Sequence, residues 1–238
     1  MTHRTRCNLG SISVLLLGLS CAATQAALLN QILAPSDYDA SASVEPNVSQ
    51  IFTDFPNFSS LALDDFEISG ADLNVRQVQV LMIAQAGFDS FGAISNYHLN
   101  FFDDPSLAGS SLVGNIVSDS ISSDNFFVNQ VGNSDLALVT LIGEWALPAE
   151  GTYWVGVAPE ASFSVAGQFS VANGGASGVD GGSNGFFANP ANGFGVGTLE
   201  AVPTDFAYFV SPEVVPEPTV GVLFLCAALT GIGRRRRV

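Results

Sequence analysis

The chain has 238 residues, no lysine, and a formal net charge of −15 from 22 acidic residues against seven arginines. Nucleic acid and anionic membrane surfaces are recognised by basic patches, so nucleic acid is excluded as a partner. A hydrophobic fraction of 47% with 18 phenylalanines is enough for the core of one domain, and low charge with abundant Val, Phe, Thr and Ser favours strands over helices.

In chain order, Arg4 and Arg6 precede the apolar, small-residue stretch LGSISVLLLGLSCAATQA, which exits through Thr24-Gln25-Ala26. A basic start, an apolar centre and a small-residue exit predict a secretory signal peptide over residues 1–26. It falls short of the about 20 apolar residues that span a bilayer. Cys7 and Cys21 leave with this leader and Cys226 lies near the C-terminus, so the segment between them has no disulfide, thiolate nucleophile or cysteine metal site. That segment is also where the acidity lies. Residues 27–215 hold 21 acidic side chains, and Arg76 is the only base.

Residues 27–60, with Pro35, Pro46 and Pro56, read as an irregular lead-in holding one or two short strands. Strands are predicted at LALDDFEI (61–68), NVRQVQVLMIAQ (74–85), SNYHLNFFDD (95–104), SLVGNIVSDS (111–120) and NFFVNQVG (125–132). LALVTLIGEWAL (136–147) and GTYWVGVAP (151–159) bracket a Pro148-Ala149-Glu150-Gly151 hairpin, and SFSVAGQFSVA (162–172) supplies one or two more. Residues 173–197 are rich in Gly and Asn and read as a long loop rather than a strand pair, before a final strand TDFAYFV (204–210). Short, regularly spaced strands without a convincing helix predict an all-β, antiparallel β-sandwich of jelly-roll-like form over residues 61–211.

At the C-terminus, Pro216-Glu217-Pro218 is followed by 15 uncharged residues and then by Arg234, Arg235, Arg236 and Arg237. As a helix the uncharged run would be about 22 Å long, and arginine side chains can snorkel to the headgroups. Trailing arginines hold that end on the cytoplasmic side. The prolines keep the approach extended.

These three parts in this order resemble the PEP-CTERM sorting signal of Gram-negative bacteria, with the match covering residues 214–238. The resemblance implies that Pro216, Glu217 and Pro218 are recognised by an exosortase and that the apolar segment is a transmembrane sorting helix with Arg234–Arg237 as its basic anchor. It implies transient anchoring in the inner membrane before cleavage, then delivery to the outer surface or matrix of a cell making exopolysaccharide. LDDFEI, LPAEGTYWVGVAP and TDFAYFV resemble, more loosely, the β-sandwich ectodomains often carried by such signals.

No catalytic constellation stands out. His98 is the only histidine beyond the leader, and no Gly-x-Ser-x-Gly elbow precedes a helix. Glu144 and Glu150 are the first candidates for a glycosidase pair, which needs two carboxylates roughly 5–10 Å apart, but nothing in their spacing singles them out. Asp64-Asp65 and Asp103-Asp104 are adjacent acids expected at strand ends, where loop carbonyls could complete the oxygen shell of a structural Ca2+. GGASGVDGG (174–182) resembles a glycine–aspartate calcium repeat, in one copy that has nothing to stack on. Trp145 and Trp154 would bind glycan if exposed as stacking platforms. Tyr153, beside Trp154, points to the opposite face of its strand. The expected function is a non-enzymatic surface or extracellular-matrix protein with a structural or adhesive role. The alternatives are a carbohydrate-binding module, calcium-assisted or not, and then a polysaccharide hydrolase.

Overall fold

The computed structural model describes residues 27–32, 47–85, 91–130, 135–175 and 183–214. The predicted signal peptide, Pro216, Glu217, Pro218, the apolar run and Arg234–Arg237 lie outside the described residues, as do positions 176–182 of the glycine-rich stretch.

The described chain is almost entirely β, in two sheets. The first contains β1 (Leu29–Asn30), β2 (Asn47–Val48), β5 (Asn74–Gln85), β8 (Phe126–Gln130), β9 (Leu136–Ala146), β11 (Gln168–Val171) and β14 (Tyr208–Ser211). The second contains β3 (Ile51–Phe52), β4 (Leu61–Ile68), β6 (Asn96–Phe102), β7 (Val117–Ser122), β10 (Gly151–Ala161), β12 (Phe186–Ala188) and β13 (Leu199–Ala201).

In the first sheet β5 is the spine. One edge carries β9 and then β8, while the other is shared by β14 along the first half and β11 along the second. In the second sheet the order is β13-β12-β4-β10-β6-β7, and β3 joins the end of β10 in the one parallel pairing among the described residues.

The period-2 alternation of each strand explains how the sheets stack. Val78, Val80 and Met82 of β5 and Val139 and Leu141 of β9 face Phe66 of β4, Tyr97, Leu99 and Phe101 of β6 and Tyr153, Val155 and Val157 of β10, all buried in one core. Each fully buried Phe or Val contributes about 1.5–3 kcal/mol of apolar transfer. Tyr208 bolts the layers together: its hydroxyl donates to the Ala62 carbonyl (2.9 Å) and accepts from Val157 N–H (3.1 Å). The final strand alternates as the sequence predicts, with Phe206 and Tyr208 in the main core and Ala207 on the opposite face with Leu81 and Leu136.

Four expectations are corrected. Residues 136–147 and 151–159 do not form a hairpin: β9 and β10 lie in different sheets, and the Pro148–Glu150 turn carries the chain from one layer to the other. Residues 111–120 are not one strand. Pro105–Gly109 forms a 3-10 helix and turns continue to residue 116, because Ala108 and Leu112 cover Leu61, Leu63 and Phe102 on the outer face of the second sheet. Residues 162–172 begin with a four-residue helix, α1 (Phe163–Ala166), before β11. The glycine-rich stretch contains the strand β12, paired antiparallel with both β4 and β13. Its Phe187 and Ala188 are buried, and that burial orders a segment whose composition reads as loop.

Candidate functional site

The acidic pairs singled out in the sequence are placed in very different surroundings. Asp64 and Asp65 lie within β4, not at its end, and both are buried. Asp64 faces the other sheet, where it accepts from Phe206 N–H (2.5 Å) and from Asp65 N–H (2.9 Å). With its amide nitrogen turned inward, Gln31 donates to Asp64 Oδ2 and to the Phe206 carbonyl, each at 2.7 Å. Desolvation pushes the Asp64 carboxyl up to about 8; the two backbone N–H bonds oppose the rise, and the carboxylates of Asp205 and Asp65 add to it. Asp65, on the opposite face of β4, accepts from Ser183 N–H (3.1 Å).

Asp103 and Asp104 begin the turn after β6. Asp103 accepts from the Asn115 side-chain amide (2.7 Å), and Asp104 accepts from Ser106 N–H (2.8 Å) to cap the 3-10 helix. The Ser106 bonds hold the Asp104 carboxyl below its ordinary value. Asp65 and Phe102 both pair with Trp154 from opposite sides, so the two acidic pairs are separated by a strand, roughly 10 Å. Calcium needs its oxygens about 2.3–2.6 Å from one centre, so these pairs cannot share an ion. Among the described residues no group of three or more His, Cys, Asp or Glu is placed to hold a metal.

The tryptophans do not form a platform. Trp145 is 5% exposed within the core and donates its indole N–H to Asp119 (2.9 Å). Trp154 lies on the outer face of the second sheet, packed with Leu61, Phe102 and Leu112. His98, Glu144 and Glu150 are dispersed as well. His98 Nε2 sits 3.0 Å from Glu160 Oε2, Glu144 approaches Arg76 at 3.7 Å, and Glu150 accepts from Gly70 N–H in the β9–β10 turn (2.7 Å).

What sequence reading missed is an aromatic pocket. Phe52 of β3, Phe55 and Phe58 of the following loop, Phe163 of α1, Phe194 of the 190–198 turns and Gln168 of β11 enclose about 300 Å³. Pro56 starts the 3-10 turn Pro56–Phe58 that sets Phe55 against Phe58 edge to face, with centroids 6.5 Å apart. Phe163 packs on Phe55 (6.2 Å) and Phe194 on Phe58 (5.2 Å), spacings typical of favourable ring pairs. Asn189 clasps the same loop on both sides of Phe58, donating to the carbonyls of Asn57 (3.1 Å) and Ser59 (2.8 Å). Gly193 approaches Asn57 so closely that a Cβ would lie 2.3 Å from its carbonyl oxygen.

Asp54 fastens α1 to the same loop. Its carboxylate accepts from Phe163 N–H (2.8 Å), Ser164 N–H (3.0 Å) and the hydroxyls of Ser162 (2.8 Å) and Ser164 (2.9 Å). Desolvation would raise this group, but those donors together hold it well below the usual carboxylate range. Phe55 remains 47% exposed and Phe58 38% exposed, unusual for rings that could have been buried. The legible signal was FTDFPNF, three phenylalanines at spacing three around a proline, a pattern that fits neither strand nor core helix.

A second cavity of about 570 Å³ opens beside Phe91, Ile94, Phe126 and Val128, where β8 lines the side of the sandwich. No protein-family model, no curated protein and no solved structure matches the chain.

Proposed function

We propose that the protein is an exported, non-enzymatic surface or extracellular-matrix component with a structural or adhesive role in an exopolysaccharide matrix. The observation that carries this reading is the order Pro216-Glu217-Pro218, uncharged run, Arg234–Arg237 in the sequence. An exosortase would cut near the Pro-Glu-Pro motif after transient inner-membrane anchoring, leaving the acidic β domain at the outer surface or in the matrix. Two features of the domain support it. Of its candidate carboxylates, Asp64, Asp65, Asp104 and Glu150 bind the protein's own backbone. Its chain also crosses repeatedly between the two sheets, which suits the jelly-roll-like form of adhesive sandwiches.

The test is fractionation of a producing strain carrying either the natural sequence or Glu217→Ala. The natural protein should lose its C-terminal tail, by mass, and collect at the surface or in the matrix. The variant should stay full-length in the inner membrane. Equal delivery of an uncut variant would overturn the sorting assignment. Calcium-dependent, EDTA-reversible retention of the released protein on the producer's polysaccharide would replace the structural role with a carbohydrate-binding one, and sugar release would replace it with hydrolysis.

A further inference from the structure

The aromatic pocket has a chemistry of its own, independent of where the protein is delivered. Among the described residues its wall is five phenyl rings and one amide, and the amide nitrogen of Gln168 is engaged by Gln85 Oε1 (2.9 Å). Ring faces carry the negative part of the aromatic quadrupole, which attracts cations that have little hydration to lose. The Asp54 carboxylate, at the surface, is next in sequence to Phe55 and bonded to the backbone of Phe163, so a negative charge is held close to the backbone of two of the lining residues.

No arginine answers it among the described residues. Arg76 is the only one there, committed to Asp72 (2.8 Å) and the Pro212 carbonyl (2.7 Å). Gln85, which pairs with Gln168 at the pocket, lies nine residues further along β5, roughly 30 Å away. His98 is held by Glu160. The −15 net charge of the chain raises the local concentration of cations further.

A bare metal ion does not suit the described part of the wall, which offers no carboxylate and one amide where hard cations need six or more oxygens. A neutral apolar molecule would gain from burial but nothing from Asp54. A volume of about 300 Å³ is at the small end of ligand sites.

We propose that the Phe52–Phe55–Phe58–Phe163–Phe194 pocket binds a small organic cation of the methylated- or quaternary-ammonium class. The rings enclose the apolar periphery, and Asp54, fixed by the Phe163 and Ser164 N–H groups outside the lining, supplies a negative charge rather than a direct contact.

The test compares choline with its uncharged isostere 3,3-dimethylbutan-1-ol, using calorimetric titration and ligand-observed NMR. Full-length protein is kept free of detergent, which would enter the same pocket. Choline should bind about tenfold or more tightly than the isostere at low salt, with the ratio shrinking as salt is raised. Phe55→Ala, at a half-exposed ring, should abolish choline binding while the melting temperature stays close to wild type. If Phe55→Ala lowers the melting temperature, the wild-type comparison between the two ligands still decides. Equal affinities would make this an ordinary apolar pocket and overturn the proposal. So would the absence of saturable choline binding, choline binding that survives Phe55→Ala, or self-association through the pocket that choline cannot compete away.

Discussion

Asp64 is a side chain whose surroundings depart far from those of an ordinary carboxyl. Its carboxyl is raised from 3.8 to about 8 because desolvation between the sheets outweighs the Phe206 and Asp65 N–H bonds. A raised acid binds its proton more tightly folded than unfolded. Its contribution is therefore fully present below about pH 4 and is lost as pH climbs toward about 8. Thermal melts of the wild type should fall by several degrees across that window. Asp64→Asn should flatten the slope, although it is less stable overall because one acceptor oxygen becomes a donor facing backbone N–H groups. A wild-type melting temperature that does not change over the same range would show that burial leaves Asp64 unshifted. Asp54 and Asp104, held low by their donors, act with the opposite sign: they stabilise above the ordinary carboxylate range and release that stability only on strong acidification. The sequence marked Asp64 as unusual through its neighbour Asp65, but not as buried. LDDF puts one aspartate on each face of the strand, and only residues from the other sheet and the 183–206 region close over both.

Among the elements, the segment 105–116 shows how a run that reads as strand can be used as a cover. Gly114 permits it. Its N–H donates to Asn100 Oδ1 (3.0 Å), and a Cβ there would lie 2.1 Å from the Val117 carbonyl oxygen and 2.6 Å from that of Phe101. Both neighbours are backbone and cannot step aside as a side chain would. Gly114→Ala should cost about 1–3 kcal/mol in denaturant unfolding and open residues 105–116 to proteolysis. An unchanged midpoint would mean that the cover is not pinned to β6. β4 and β5, by contrast, occupy the residues their apolar runs predict, Leu61–Ile68 and Asn74–Gln85, because both are central strands whose neighbours cover nearly every position. β12 was illegible because three residues between glycines and asparagines carry no period. Only its pairing with β4 makes it a strand.

On the scale of the whole molecule, charge dominates behaviour in solution. With a net charge of −15 and an isoelectric point near 4.1, mutual repulsion strains the compact state at low ionic strength. Moving from dilute buffer to about 0.15 M salt shortens the screening length to about 8 Å and should raise the melting temperature by a few degrees. A melting temperature indifferent to salt would show the carboxylates to be too dispersed to repel. Composition and period by themselves determined the β class and the alternation that sends Phe66, Val78, Phe101 and Tyr208 inward. These are local patterns, legible wherever a residue's role depends on near neighbours in the chain. Tertiary structure alone decided that Trp145 is core, that the two aspartate pairs stand a strand apart, and that Phe52, Phe55, Phe58, Phe163 and Phe194 meet around one cavity. Those five rings come from three separate places, 52–58, 163 and 194, over more than 140 positions of the chain. No window on the sequence contains them together, and only the stacking of the two sheets brings their loops to the same end.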